Sequence, residues 1–155
     1  MAVLPAGSPV PRFSLQTAEG GAFTQDAVTA ERTLLVFYPN AFSPVCTDQL
    51  QLLDEVAPGL AERGVSIVGV SCDATYSQKA FADQLGISIR QLSDFEPKGA
   101  TSRAFGVYFE SAGIPTRAYV LTGTDGRVAW SWEGEHPGVL PPVKLVLDAV
   151  AELGW

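Results

Sequence analysis

The chain has 155 residues, of which 46% are hydrophobic and 17% charged, a composition typical of an ordinary globular protein. Its net charge of −7 argues against binding to nucleic acid, which selects basic surfaces, and against binding to an anionic membrane surface. Two cysteines are too few for a disulfide scaffold, and a single histidine argues against a metal site of the Cys/His type. The length is that of one domain, so we predict a single domain over residues 1–155.

The N-terminal residues lack the basic stretch and the apolar segment of a signal peptide. No apolar run approaches the roughly 20 residues that a membrane-spanning helix needs. The low cysteine content fits a reducing compartment. We therefore expect a cytoplasmic protein that has no contact with a membrane.

Strands and helices alternate in the predicted order of elements. They are strands at 13–16 and 22–24, a helical turn at 25–32, a strand at 33–38, a helix at 44–63, a strand at 65–71, a helix at 76–85, a strand at 90–92, a helix at 98–105, and strands at 117–121 and 127–132. Thr124-Asp125-Gly126 predicts a hairpin turn between the last two strands. We expect Pro58 to kink or divide the long helix and Gly64 to cap it.

The last predicted helix has apolar residues at helical spacing, so one of its faces is expected to pack on the sheet. These residues are Val139, Val143, Val146, Val150 and Leu153. Pro141 and Pro142 must lie in its first turn or before it. The alternation predicts an α/β layer fold in which antiparallel strands flank a parallel core. The order of elements resembles a thioredoxin-like fold, with three layers α/β/α and an N-terminal β-hairpin extension.

Cys46 has the most informative surroundings in the sequence. The buried strand at 33–38 ends at Pro39, and Ser43 with Pro44 behind it is a favourable pair for a helix N-cap and first helical position. Cys46 then falls in the first turn, where backbone N–H groups have no partner and the helix dipole favours a negative charge. A thiolate at a helix N-terminus indicates a redox or nucleophilic site.

The segment from Pro39 to Cys46 matches Pro-x-x-x-(Thr/Ser)-x-x-Cys, the signature of the peroxiredoxins. Further segments that resemble this family follow in the expected order, namely Leu35–Pro39, Val68–Asp73, Leu92–Phe95, Ala104–Val107 and Arg117. Within the family the chain is most similar to the one-cysteine, alkyl hydroperoxide reductase E type. Its compact length, the Ala41-Phe42 pair and the Leu92–Phe95 segment carry that similarity.

The resemblance implies a thiol peroxidase that uses neither a metal nor an organic cofactor. Cys46 would attack hydrogen peroxide or an alkyl hydroperoxide and become a sulfenic acid. Arg117 would stabilise the charge that develops in the transition state. Ser43 would hydrogen-bond the peroxide, Pro39 would shield the thiolate from water, and the backbone N–H groups of Cys46 and Val45 would hold a peroxide oxygen.

The implied partners are a hydroperoxide substrate and an external thiol that regenerates Cys46. That thiol is a small molecule or a protein of the thioredoxin, glutaredoxin or mycoredoxin type. The family commonly dimerises through the active-site loop, so we expect a homodimer. Phe42, beside this loop, is a candidate for the pocket wall, for the core or for the dimer contact.

One residue departs from the family pattern. Many members carry Glu three residues after the reactive cysteine, and this chain has Gln49 there. A neutral amide can hydrogen-bond Arg117 but cannot form an ion pair with it. Asp48 would oppose thiolate formation if it pointed inward, although an aspartate in a first helical turn is more often solvated.

Cys72 follows a buried strand and allows two interpretations. The plain one is a small, buried apolar side chain. The sharper one is a resolving cysteine that condenses with the Cys46 sulfenic acid, although resolving cysteines of this family usually lie elsewhere in the chain. We expect an external thiol to reduce the Cys46 sulfenic acid, and Cys72 is the candidate for an internal resolving cysteine.

Two other functions remain open from the sequence. Ile114-Pro115-Thr116 resembles a segment near the thioredoxin active site, which would suit a disulfide oxidoreductase, but that role needs a second cysteine where this chain has Ser43. The other is a non-catalytic, redox-sensing protein on the same fold. An unreactive Cys46 would indicate that third function.

Overall fold

A seven-stranded mixed sheet lies at the centre of the protein, in a computed structural model that describes residues 2–155. The strands along the described chain are β1 (Ser14–Thr17), β2 (Ala22–Thr24), β3 (Arg32–Phe37), β4 (Val65–Ser71), β5 (Arg90–Ser93), β6 (Tyr108–Phe109), β7 (Ile114–Pro115), β8 (Ala118–Thr122) and β9 (Val128–Glu133). The order in the sheet is β2-β1-β5-β4-β3-β8-β9, and β6 pairs with β7 separately.

The helices connect and cover these strands. They are α1 (Gln25–Ala30), α2 (Pro44–Glu62), α3 (Thr75–Leu85), α4 (Ala100–Ala104) and α5 (Lys144–Glu152). Strands β3, β4 and β5 are parallel, because α2 and α3 carry the chain back between them. The β1–β2 hairpin joins one side of this parallel core and the β8–β9 hairpin the other, both in antiparallel pairing. The predicted parallel core with antiparallel flanks is confirmed.

Apolar side chains alternate between the two faces of the sheet, as the period of a strand requires. One core includes Leu34, Val36, Cys46, Leu53, Phe81 and Val146, from β3, α2, α3 and α5. The opposite core includes Val28, Leu35, Phe37, Val70 and Phe105, from α1, β3, β4 and the end of α4. Helices therefore cover both faces, which gives the three layers expected from the order of elements. No helix within residues 2–155 is both long and apolar enough to cross a membrane.

One prediction about a helix is narrowed and another is corrected. Helix α2 runs undivided through the exposed Pro58, because the buried Leu53 and Leu60 hold the turns on either side of it against the sheet. Helix α5 begins at Lys144, so Pro141 and Pro142 lie before it, which is one of the two predicted placements, whereas the apolar spacing had included Val139 in the helix. As a result Val139 is 63% exposed and lies outside the helix.

The short β6–β7 pair was not predicted from the sequence. Each strand has only two residues, Tyr108–Phe109 and Ile114–Pro115, which is too short for a periodic pattern to show. The pair lies directly before β8 in the chain, so it leads into Arg117.

Candidate active site

The loop after β3 delivers Cys46 to the start of α2. Pro39 is buried, and the chain then turns so that Ser43 adopts the extended N-cap conformation with Pro44 as the first helical residue. The predicted helix N-cap at Ser43 and first helical position at Pro44 are therefore confirmed. The Ser43 hydroxyl does not cap the helix, however, because it donates a hydrogen bond to the carbonyl of Asn40, 3.0 Å away.

Cys46 is the third residue of α2 and its side chain is fully buried. As residues of the first helical turn, Val45 and Cys46 have backbone N–H groups with no partner within the helix. Both cysteines of the chain are free thiols. The sulfur of Cys46 therefore lies beside unpaired helix donors and away from bulk water.

Arg117, directly before β8, contacts the Cys46 sulfur with its guanidinium group. Its Nη2 lies 3.4 Å from Sγ, and its side chain is only 2% exposed. Its Nε and Nη2 also donate to the carbonyl of Pro137, at 3.0 and 2.7 Å, and its Nη1 donates to Gln49 Oε1 at 2.5 Å. Gln49 in turn donates from Nε2 to the Tyr119 hydroxyl at 2.8 Å.

No carboxylate within residues 2–155 lies at ion-pair distance from the Arg117 guanidinium. A buried cation is costly unless hydrogen bonds and an opposite charge compensate it. Gln49 and Pro137 supply neutral oxygen acceptors only. Cys46 is the hydrogen-bond partner of Arg117 that can itself become an anion. The arrangement therefore suits a negatively charged sulfur, and equally a negatively charged oxygen that replaces it during a reaction.

Phe42 adopts a backbone conformation that is unusual for a bulky residue. Its φ is +69°, in the left-handed region, and its side chain is 49% exposed. The backbone N–H of Ala41 donates to Asp73 Oδ2 at 2.9 Å, and the Phe42 ring packs 5.2 Å from that of Phe81. These two contacts hold a strained loop directly before the helix that carries Cys46.

Cys72 lies at the same edge of the sheet but on the other face. Cys72 follows the last residue of β4, and the charges of Asp94 and Lys98, between β5 and α4, act on its thiol. Helix α4 packs through Phe105 on the face opposite to that of Cys46. Burial, followed by the nearby Asp94 carboxylate, raises the pKa of the Cys72 thiol to about 12. The two cysteines are therefore on different sides of the sheet, and a resolving role for Cys72 stays a prediction that this placement disfavours.

Two of the groups that hold Arg117 in place, directly or through Gln49, were not predicted from the sequence: the Tyr119 hydroxyl and the Pro137 carbonyl. Tyr119 is two residues after Arg117 and so shares its strand face, a signal that alternation could have provided. The Pro137 carbonyl gave no such signal, because a backbone acceptor in a loop has no sequence pattern. Asp48 is exposed to solvent, and no group of three or more His, Cys, Asp or Glu side chains in the described part of the chain could hold a metal ion.

Comparison with known sequences extends over most of the chain. The pattern of the AhpC/TSA family matches residues 6–131. Alkyl hydroperoxide reductase E of Mycobacterium tuberculosis is 32% identical over 152 residues, which cover 97% of this chain and 99% of that protein. Thiol peroxidase of the same organism is 32% identical over 133 residues, covering 83% of this chain and 78% of that protein.

Comparison with solved structures gives the same fold. AhpC of Enterococcus faecalis superimposes with a TM-score of 0.86 at 24% identity, covering 99% of this chain and 93% of that one. Peroxidoxin BcpB of Mycobacterium tuberculosis superimposes with a TM-score of 0.82 at 26% identity, covering 97% of both chains. The thioredoxin-like arrangement expected from the order of elements is thereby confirmed.

Proposed function

The chain belongs to the AhpC/TSA family of peroxiredoxins, and from that premise we propose that Cys46 is the residue that reduces peroxide. Membership confirms the resemblance drawn from residues 39–46, and makes the protein a thiol-dependent peroxidase. The observation that carries the assignment to Cys46 is the hydrogen bond from Arg117 Nη2 to its sulfur at the start of a long helix.

The reaction uses the charges found at the site. The Cys46 thiolate attacks one peroxide oxygen, so that an S–O bond forms while the O–O bond breaks. The second oxygen leaves as hydroxide or alkoxide and takes a proton from solvent, which gives water or an alcohol. The Arg117 guanidinium, already beside the sulfur, stabilises the negative charge as it moves from sulfur to the leaving oxygen. Cys46 is left as a sulfenic acid.

The remaining pocket residues have supporting roles in this proposal. The backbone N–H groups of Val45 and Cys46 bind a peroxide oxygen, since the first helical turn leaves them without partners. The Ser43 hydroxyl can turn from the Asn40 carbonyl toward the substrate. Buried Pro39 keeps water from the thiolate, and Phe42 forms the outer wall.

An external thiol regenerates Cys46. The first thiol condenses with the sulfenic acid to give a mixed disulfide and water, and a second thiol then releases reduced Cys46 and a disulfide. The place of Cys72 beside Asp94 and Lys98, together with its raised pKa, supports this external route. A disulfide oxidoreductase is not favoured, because position 43 is Ser and Cys72 lies across the sheet.

We also propose a homodimer in the cytoplasm. Phe42 and Phe95 are 49% and 47% exposed, and both follow strands whose carboxyl ends meet at one edge of the sheet. Such apolar exposure favours an interface there. Light scattering should give twice the chain mass, and Phe42→Glu should shift the protein toward monomer. A monomeric mass for wild type at working concentration would contradict the dimer.

Mass spectrometry after one equivalent of hydrogen peroxide tests the assignment of the two cysteines. We expect a gain of one oxygen on Cys46 in wild type and in Cys72→Ser, and no such gain in Cys46→Ser. Dimedone, which traps sulfenic acids, should label the same residue. An internal disulfide between Cys46 and Cys72 would instead show that Cys72 resolves the sulfenic acid.

A further inference from the structure

The Gln49 amide can face Arg117 in only one productive way. A guanidinium has N–H donors and no acceptor, so Gln49 must present Oε1 to it. The two N–H donors of Gln49 Nε2 then point away from Arg117. Gln49 is only 1% exposed, so these donors are buried. Buried donors need an acceptor, and their loss of solvation is costly without one.

The Tyr119 hydroxyl is that acceptor. It lies 2.8 Å from Gln49 Nε2, and Tyr119 itself is 1% exposed. Its ring is fixed by contact with Trp132, at a centroid distance of 5.4 Å, and by stacking on Trp130. The hydroxyl therefore has a defined position that does not depend on water.

A carboxylate at position 49 would not need this partner, because both of its oxygens can accept from a guanidinium. With Gln49 the situation differs, since an amide that turned over would oppose its own N–H groups to those of Arg117. We propose that Tyr119 is a positioning residue, whose hydroxyl fixes the Gln49 amide so that its oxygen keeps Arg117 on the Cys46 sulfur. This inference rests on the function proposed above for Cys46 and Arg117.

The test combines Tyr119→Phe with Gln49→Glu. Tyr119→Phe keeps the ring and should lower the second-order rate constant of Cys46 oxidation about tenfold, because it leaves a buried amide without its acceptor. In the Gln49→Glu background the same substitution should cost less than about twofold, because the carboxylate holds Arg117 without help. Equal losses in the two backgrounds, or no loss in either, would overturn the proposal.

Thr122→Val is the matched control. It removes another buried hydroxyl of β8, one that donates to the Thr33 carbonyl at 3.2 Å and lies at the end of the strand away from Arg117. We expect its rate constant to stay within about twofold of wild type, since the arginine acceptors are untouched. A loss as large as that of Tyr119→Phe would assign the effect to any missing buried hydroxyl and would overturn the proposal.

A second measurement does not depend on peroxide. In ¹⁵N-labelled protein the Arg117 guanidinium N–H signals, assigned by their loss in Arg117→Lys, should exchange slowly with water in wild type. They should exchange faster in Tyr119→Phe and slowly again in the double variant Tyr119→Phe/Gln49→Glu. If wild type fails to reduce peroxide, the proposed function is wrong while these signals still decide the role of Tyr119. Unchanged exchange in Tyr119→Phe would contradict that role.

Discussion

The neighbouring parallel strands β3 and β4 each lead to a cysteine at the same edge of the sheet, but the two thiols have opposite surroundings. Cys46 lies in the first turn of a 19-residue helix, with the Arg117 guanidinium on its sulfur. Cys72 lies in a loop on the other face, where burial and the Asp94 carboxylate disfavour its anion. Both cysteines thus follow the carboxyl end of a strand, but Cys46 lies beside the positive charge of Arg117 and Cys72 beside the negative charge of Asp94.

Removal of the arginine should give the largest change on the Cys46 side of this comparison. Arg117→Ala is expected to lower the rate constant for peroxide reduction about 100- to 1000-fold, the usual cost of losing one preorganised donor to a developing charge. Arg117→Lys should fall between this variant and wild type, because it keeps the charge but loses the planar fork. Stopped-flow kinetics measure both.

The exposed Arg63, the residue directly after α2, supplies the control for these arginine variants. Arg63→Ala changes the net charge by the same amount and should leave the rate constant unchanged. An Arg117→Ala variant as fast as wild type would contradict the claim that the Arg117 charge makes Cys46 more reactive than Cys72.

The slow chemistry of Cys72 is the second expected effect. In Cys46→Ser, iodoacetamide should alkylate Cys72 at pH 8 at least about tenfold more slowly than it alkylates free cysteine, because less of the thiol is ionised. The rate should keep rising toward pH 12, where the raised pKa lies. Mass spectrometry follows the reaction, and the same variant in urea should react like free cysteine.

The raised pKa of Cys72 also makes the stability of the fold depend on pH. Because the pKa of Cys72 is higher in the folded state than in the unfolded chain, the neutral thiol favours the fold below the ordinary thiol pKa. This contribution disappears as the pH rises through about 12. An alkylation rate that levels off near pH 9 would show that Cys72 is an ordinary thiol.

The smallest expected effect concerns Asp94, the carboxylate on the Cys72 side. It accepts hydrogen bonds from the backbone N–H groups of Thr101 and Ser102, at 3.0 and 2.8 Å, and is 3% exposed. Asp94→Ala should lower the free energy of unfolding in urea by about 1–3 kcal/mol, since it leaves buried donors unpaired. The rate of Cys46 oxidation should change less than about twofold, because Asp94 is on the opposite face. A large loss of rate would mean that the two regions are coupled.

The sequence was most informative where the information is local. The strand before Pro39, the N-cap at Ser43 and the place of Cys46 follow from neighbouring residues alone, and the structure has them as predicted. The identification of Arg117 as the partner of this cysteine came from the family resemblance, because 71 positions separate the two residues. Nothing local indicates such a pairing.

Other parts of the molecule depend on contacts that a linear pattern does not contain. Pro141 and Pro142 lie before α5, as the sequence allows, but apolar spacing alone wrongly includes Val139 in that helix. The Pro137 carbonyl at Arg117 depends on the path of a loop, which only the folded chain defines. The acceptor role of Tyr119 follows from its place across from Gln49.

Stopped-flow tryptophan fluorescence of the reduced protein mixed with hydrogen peroxide tests the central claim most directly. Trp132 packs on Tyr119, which is joined through Gln49 to the arginine, so the signal originates near the site. Wild type and Cys72→Ser should react at least about a thousandfold faster than a free thiol, and Cys46→Ser should not react. A slow reaction in wild type, or a fast one in Cys46→Ser, would contradict the assignment of peroxide reduction to Cys46.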